Sequence, residues 1–242
     1  MKLSIIIPVF NEEETVGEII KRVGAVQMPD VEKEVIVVDD GSTDATASKI
    51  QNSIRQWRIK IQNLKIITHP KNLGKGAAVR TGIKNSTGDY IVIQDADLEY
   101  NPKDIERLLD QIKNKKTDVA YGTRLKRLPN LSRDERTPHL FLHYIGNKFL
   151  SLLTSVLYGQ WITDMETCYK LFPKNAVLDL NLKSRGFDFE PEITAKLLKK
   201  KFRILEVPIT TSPRSLSEEK KLNTIRDGTR ALWTLLKYRF AD

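Results

Sequence analysis

The strongest constraint on the fold is a series of short, unbroken apolar runs, most of them ending in acids. "KLSIIIPVF", "EVIVVDD", "LKIITH" and "YIVIQDAD" follow one another through the first hundred residues. A continuous run rich in β-branched residues suits a strand covered on both faces. Between the runs, apolar residues return at helical spacing. Val16, Ile19, Ile20 and Val23 do so, as do Ala47, Ile50 and Ile54, and the segment from Ala77 to Ile83 reads as a third helix. Strands alternating with helices predict an α/β fold with a parallel sheet and right-handed crossovers. Asn11, three residues before Glu14, reads as the cap of the first helix, and Gly41 and Ser42 turn the chain after the second run.

The second half is less regular. "DVAYGTR" reads as a further strand, followed by a basic loop from Lys126 to Pro138 and a helix through Asn147 to Tyr158. "CYKLFP" is a short strand candidate. Pro191 suits the first turn of a helix that buries Ile193, Leu197 and Leu198. "FRILEVPIT" reads as a late strand, and Pro208 places it at an edge because proline cannot donate to the ladder. The C-terminal "TIRDGTRALWTLLKYRF" is amphipathic, with Leu232, Leu235 and Leu236 as an apolar face that could insert in a lipid surface. No repeat, low-complexity tract or linker divides the sequence, so one domain over residues 1–242 is expected.

Composition narrows the function classes. The single Cys168 cannot form an internal disulfide, which points to a reducing, cytoplasmic setting, and it reads as a small buried apolar residue. "MKLSIIIPVFNEEE" turns acidic too early for a signal peptide. The apolar stretch "FLSLLTSVLYG" is shorter than the roughly 18 residues of a membrane span. The net charge of +9 admits phosphorylated ligands, an anionic membrane surface or nucleic acid. The basic residues are not interleaved with aromatics and no nucleic-acid signature is present, so nucleic acid is not expected.

Ligands of open parallel sheets bind beyond the carboxyl ends of the strands. Pro8, Phe10, Asn11 and Glu12 stand after the first run, Asp39 and Asp40 at the second, Asp95 and Asp97 at the fourth. Three acidic clusters on one rim of a basic protein mark a functional edge. On an extended segment, side chains at i and i+2 share a face. Asp95 and Asp97 can therefore converge on a hard cation such as Mg²⁺ or Mn²⁺, whose other positions phosphate oxygens fill. In "NLGKGAAVRTG", Gly74 and Gly76 either open backbone amides to an anion or simply turn the chain into a helix. The spacing is not that of a P-loop, and no Gly-x-Gly-x-x-Gly follows the first run, so a dinucleotide oxidoreductase is not expected.

"SIIIPVFNEEETV", "VIVVDDGSTDAT", "NLGKGAAVRTG" and "GDYIVIQDADLEYNP", in this order, resemble glycosyltransferase family 2. "YGTR", "TDMETCYKLF", "FDFEPEI", "EVPI" and the C-terminal segment extend the likeness to the branch of dolichyl-phosphate mannose synthase and other polyprenyl-phosphate sugar transferases. The resemblance implies a GT-A fold, a mostly parallel central sheet flanked by helices. It implies a nucleotide site of Pro8, Phe10, Glu12, Asp39, Asp40, Lys75, Asp95 and Ala96, and a metal motif of Asp95 and Asp97 with Glu99 as a further ligand. It implies that Asp97, Arg124 and Asp164 serve catalysis, Arg124 meeting the acceptor phosphate and Asp164 facing donor sugar or acceptor. "TCYK" departs from the Gly-Phe pair of many relatives, which bears on the sugar pocket.

The implied reaction is inverting, metal-dependent transfer of a hexose from a nucleoside diphosphate sugar, of the GDP-mannose or UDP-glucose type, to polyprenyl phosphate. A phosphate acceptor is already an anion and needs positioning, not a base. Lys126, Arg127, Arg133, Arg136, Lys220, Lys221, Arg226 and Arg230 suit a protein peripheral at an anionic, cytoplasmic membrane face. A hydroxyl acceptor of a cell-wall or surface glycan would instead need a base, Asp164 or Glu166. A non-catalytic nucleotide-sugar-binding module is the third alternative. His139 and His143 have no evident partner in the sequence, and the oligomeric state is open.

Overall fold

The computed structural model describes residues 1–57, 63–124, 138–212 and 224–241. The basic-loop residues Lys126, Arg127, Arg133 and Arg136, and Lys220 and Lys221 of the C-terminal segment, lie outside the described residues. Seven strands form one sheet: β1 (Lys2–Val9), β2 (Glu32–Asp39), β3 (Asn63–Thr68), β4 (Tyr90–Ile93), β5 (Val119–Thr123), β6 (Lys170–Pro173) and β7 (Ile204–Pro208), in the order β3-β2-β1-β4-β6-β5-β7. All pairings are parallel except those of β6, which runs antiparallel between β4 and β5. The helices are α1 (Val16–Ala25), α2 (Thr46–Trp57), α3 (Lys75–Asn85), α4 (Asp104–Lys113), α5 (Pro138–Tyr158), α6 (Lys174–Leu178), α7 (Phe189–Lys199) and α8 (Thr224–Phe240).

Three of the four unbroken apolar runs are buried on both faces, whereas β3, from "LKIITH", is the edge strand and only partly covered. Leu3, Ile5, Ile6 and Ile7 of β1, Val35 to Val38 of β2 and Ile91 to Ile93 of β4 are fully enclosed. Pro208 closes β7 at the sheet edge. "CYKLFP" contributes a shorter strand than read, and the helix before it begins at Pro138 rather than near Asn147. Asn11 does not cap α1, which starts five residues later after Thr15. It adopts φ 49° and its Oδ1 accepts the Thr43 N–H at 2.8 Å, tying the loop after β1 to the loop after β2.

Glu34 fastens the opposite end of the sheet. Its carboxylate accepts bonds from the Ser4 hydroxyl on β1 and from the Thr87 N–H and hydroxyl ahead of β4, and pairs with Lys65 of β3 at 2.7 Å. Burial alone would raise its pKa, but these donors hold it down to about 2.

Helices α5, α7 and α8 pack together beyond the β6-β5-β7 half. The apolar side of α8 turns inward: Leu235 is fully buried and Leu232 and Leu236 half-buried, so they do not form the outward lipid-facing surface read from the sequence. The exposed apolar stripe lies on α5 instead, where Leu142, Ile145, Phe149, Leu152 and Val156 recur at three- and four-residue spacing with Phe141 beside them. Trp233, Ile225 and Phe240 of α8 are exposed as well. No helix among the described residues is long and apolar enough to cross a membrane.

Candidate active site

The carboxyl ends of β1, β2, β4 and β5 open on one cleft of about 700 Å³. Pro8, Phe10 and Glu12 enter it from β1, Asp40 from β2, Asp95, Ala96, Asp97 and Glu99 from β4, Arg124 from β5 and Lys75 from the start of α3. Asp39 and Asp164 do not line it. Asp39 is buried behind the rim, where its Oδ1 accepts the Ser42 N–H at 3.0 Å.

Asp40 organises the wall. Its carboxylate accepts the N–H groups of Leu73 and Gly74 at 3.0 and 2.7 Å and meets His69 Nδ1 at 2.6 Å. These bonds pin the glycine-rich turn that starts α3. Gly74 has φ 99°, and a side chain there would run into the Arg185 carbonyl; one at Gly76 would sit 2.8 Å from the Ser184 carbonyl. The glycines thus let the 184–186 loop lie against the first turn of α3, a close approach only glycine permits.

The acidic motif after β4 is built by a turn rather than by the pleat of a strand. β4 ends at Ile93, and Asp97 Oδ1 accepts the Glu99 N–H at 3.1 Å across Leu98, whose φ is 62°. Asp95 and Asp97 both reach the cleft. Lys75 Nζ lies 2.8 Å from Asp95 and 3.4 Å from Glu190 of α7, and Glu190 in turn pairs with Lys170 of β6 at 2.7 Å. Burial pulls the Lys75 pKa down, but the two carboxylates outweigh it and the ammonium stays charged. Asp95, Lys75, Glu190 and Lys170 thus form a chain of alternating charge. Among the described residues, no group of three or more His, Cys, Asp or Glu side chains is gathered as a cage. Two carboxylates that reach the cleft, Asp95 and Asp97, would fit a hard cation that takes its remaining oxygens from a ligand's phosphates.

On the far side, Arg124 is held by Asp164. Nε and Nη2 donate to the two carboxylate oxygens at 2.8 Å each, the Arg124 backbone N–H adds a third bond, and Asn147 of α5 a fourth. Asp164 is fully buried. Burial pushes its pKa up, yet the guanidinium and the N–H donors carry it below the usual carboxylate range. Arg124 is therefore fixed in place, with the N–H groups not given to Asp164 left for a ligand.

Several residues of the cleft carry no role in the sequence reading. Glu190 and the 185–187 loop are among them, although "FDFEPEI" stands out as a block, and Lys170, the partner of Glu190, is buried behind the cleft. Cys168 forms part of the floor, 2% exposed, its thiol pushed up by burial. Glu166 lines the cleft, and burial raises its carboxyl to about 7.

Residues 4–179 match the family model for glycosyl transferase family 2. The chain belongs to that family. It is 31% identical to a dolichol-phosphate mannosyltransferase of Pyrococcus furiosus, over 98% of this chain and 64% of that protein. It is 28% identical to a dodecaprenyl-phosphate galacturonate synthase of Rhizobium johnstonii, over 87% of this chain and 59% of that protein. It therefore spans less than two thirds of the length of these relatives. Glucosyl-3-phosphoglycerate synthase of Mycobacterium tuberculosis, solved with Mn²⁺, UDP and phosphoglyceric acid, superimposes with a TM-score of 0.74 at 17% identity, over all of this chain and 79% of that one. The family 2 chain thus has the GT-A fold expected from its sequence.

Proposed function

We propose that the protein transfers a hexose from a nucleoside diphosphate sugar to polyprenyl phosphate with inversion, using Mg²⁺ or Mn²⁺, at an anionic membrane surface. The observation that carries this reading is one cleft with an acidic wall and Lys75 on one side and a fixed guanidinium on the other. Relatives named for dolichol and dodecaprenyl phosphate support the choice of acceptor.

Asp95 and Asp97 would hold the metal, which neutralises the diphosphate as a leaving group. Lys75, already charged beside Asp95, binds a diphosphate oxygen. Pro8, Phe10 and Glu12 border the base, and Asp40 keeps the turn of α3 in place beneath the nucleotide. Arg124 orients the acceptor phosphate, whose oxygen forms the new bond to the anomeric carbon as the old bond to the diphosphate breaks and its electron pair leaves with the nucleotide. No base is required, since the attacking oxygen carries no proton near neutral pH. Asp164 acts through Arg124 and does not touch substrate.

The same helix that lines the cleft with His143, Gly146, Asn147 and Leu150 carries the exposed apolar stripe on another face. A lipid tail leaving the cleft would meet it, and Arg226 and Arg230 at the cleft mouth suit anionic headgroups. The test is a screen of nucleotide sugars against extracted polyprenyl phosphate with product mass determined. A glycosylated lipid phosphate, lost on chelation of divalent metal, is expected. Transfer only to a free sugar hydroxyl would overturn the reading.

A further inference from the structure

Residues 164–168 alternate in destination. Asp164 is fully buried behind Arg124 and Met165 is enclosed in the core, while Glu166 turns to the cleft. Among the described residues the Glu166 carboxyl makes no hydrogen bond and no ion pair. The cations around it are already matched, Arg124 by Asp164 at 2.8 Å and Lys170 by Glu190 at 2.7 Å. A partly buried carboxyl without donors is costly and gains most from a ligand that supplies them. The diphosphate of a nucleotide sugar cannot, because it is fully ionised and offers only acceptors near neutral pH. Sugar hydroxyl groups can.

We propose that Glu166 reads the transferred hexose, its carboxylate accepting hydrogen bonds from sugar hydroxyl groups and so setting which sugar is taken. This rests on the donor assigned above. The charged and titratable groups facing Glu166 are Arg124 at the end of β5, Asp164 in its own segment, Lys170 on β6 and Glu190 on α7, with His143 of α5 also on the cleft. Of these, Arg124, Asp164, Lys170 and Glu190 are committed to one another in pairs. Glu166 is the carboxyl near them whose charge changes near neutrality, at about 7.

The test is calorimetry on the full chain with the nucleoside diphosphate and with the nucleotide sugar, for wild type, Glu166→Gln and Glu166→Ala. Affinity for the sugar-free diphosphate should stay the same. The extra affinity given by the sugar should fall by roughly tenfold or more, the scale of a hydrogen bond to a charged group. Preference between epimeric hexoses should shrink with it. In wild type that extra affinity should weaken as pH falls through about 7, and in Glu166→Gln it should be flat. The wild-type pH series decides the matter even where a variant folds poorly. Equal losses for diphosphate and nucleotide sugar, or a change in acceptor KM alone, would overturn the proposal. A wild type that binds no nucleotide sugar would overturn the donor assignment itself, whereas binding unaffected by substitution and by pH would overturn only the role of Glu166.

Discussion

Lys75 Nζ stands 2.8 Å from Asp95, the residue expected to take a divalent cation. A metal held there as proposed would compete with the ammonium for one carboxylate, which would link metal binding to repositioning of Lys75. Lys75→Gln should tighten Mn²⁺ binding to the nucleotide-free protein and weaken binding of the nucleoside diphosphate. Calorimetry with each alone checks this; a loss of both affinities would show that Lys75 serves only to support the fold.

Asp97→Asn removes charge from the cleft with little change of shape. Turnover should fall by roughly a hundredfold or more, the scale of losing one electrostatic contact at a reacting centre. The unfolding temperature should stay close to wild type, since Asp97 is only half-buried. Turnover under controlled metal, measured beside a melting curve, is the check.

Arg124→Ala does more than free the acceptor side. It strips the counterion from the fully buried Asp164, and breaking a buried pair costs about 3–5 kcal/mol. The double variant Arg124→Ala with Asp164→Asn should recover part of that stability while transfer to lipid phosphate stays impaired. Denaturant unfolding of both variants and the wild type, with acceptor KM for any that fold, separates the two effects.

Glu34 and Glu166 give the stability profile opposite edges. The Glu34 pKa is depressed to about 2, so its contribution is present above the ordinary carboxylate range and is lost as pH falls towards that value. The Glu166 pKa is raised to about 7, so its contribution is present in acid and is lost as pH rises through that value. Glu34→Gln should flatten the acid side of a plot of unfolding temperature against pH, and Glu166→Gln the decline between the ordinary carboxylate range and about 7. A Glu34→Gln profile parallel to wild type in acid would refute the first assignment.

Phe149→Ser, Leu152→Ser and Val156→Ser together remove part of the exposed stripe of α5. Folding stability should change little, because these side chains are not in the core. Sedimentation with anionic liposomes should lose its salt-resistant part, while the salt-sensitive part owed to basic residues remains.

The acidic wall of the cleft was legible because its residues sit at the ends of unbroken apolar runs. A run that must be buried on both faces can only be a central strand, and its exit can only be the rim. The acids after β4 were found in this way, although a turn with Leu98 at φ 62° brings them together and not the pleat. The other half was harder to read. Asp164 looks like a free acid in "TDMET", and only the fold shows Arg124 across it. Lys170 lies in the short strand expected from "CYKLFP", but its partner Glu190 arrives from α7, which no local pattern announces. Leu232, Leu235 and Leu236 have the periodicity of a lipid-facing stripe, but the same periodicity serves a core, and α5 and α7 cover them. Periodicity reports that a helix has an apolar side, not what that side meets.

The reversed direction of β6 has a consequence for how such a protein can change. β1, β2, β4 and β5 present their exits to the cleft, whereas β6 presents its entrance, so the segment leading into it, with Glu166 and Cys168, borders the cleft. That segment follows α5 in the chain and comes more than sixty residues after the acids at β4. Within it Asp164 is tied to Arg124 and Cys168 lies against Asp95 and Lys75, but Glu166 can change without removing a hydrogen bond or ion pair of Asp40, Lys75, Asp95 or Asp97. If Glu166 reads the sugar as proposed, a lineage would keep its cleft acids and Lys75 intact while drifting in the sugar it handles, and a laboratory library at Glu166 alone would explore the same freedom.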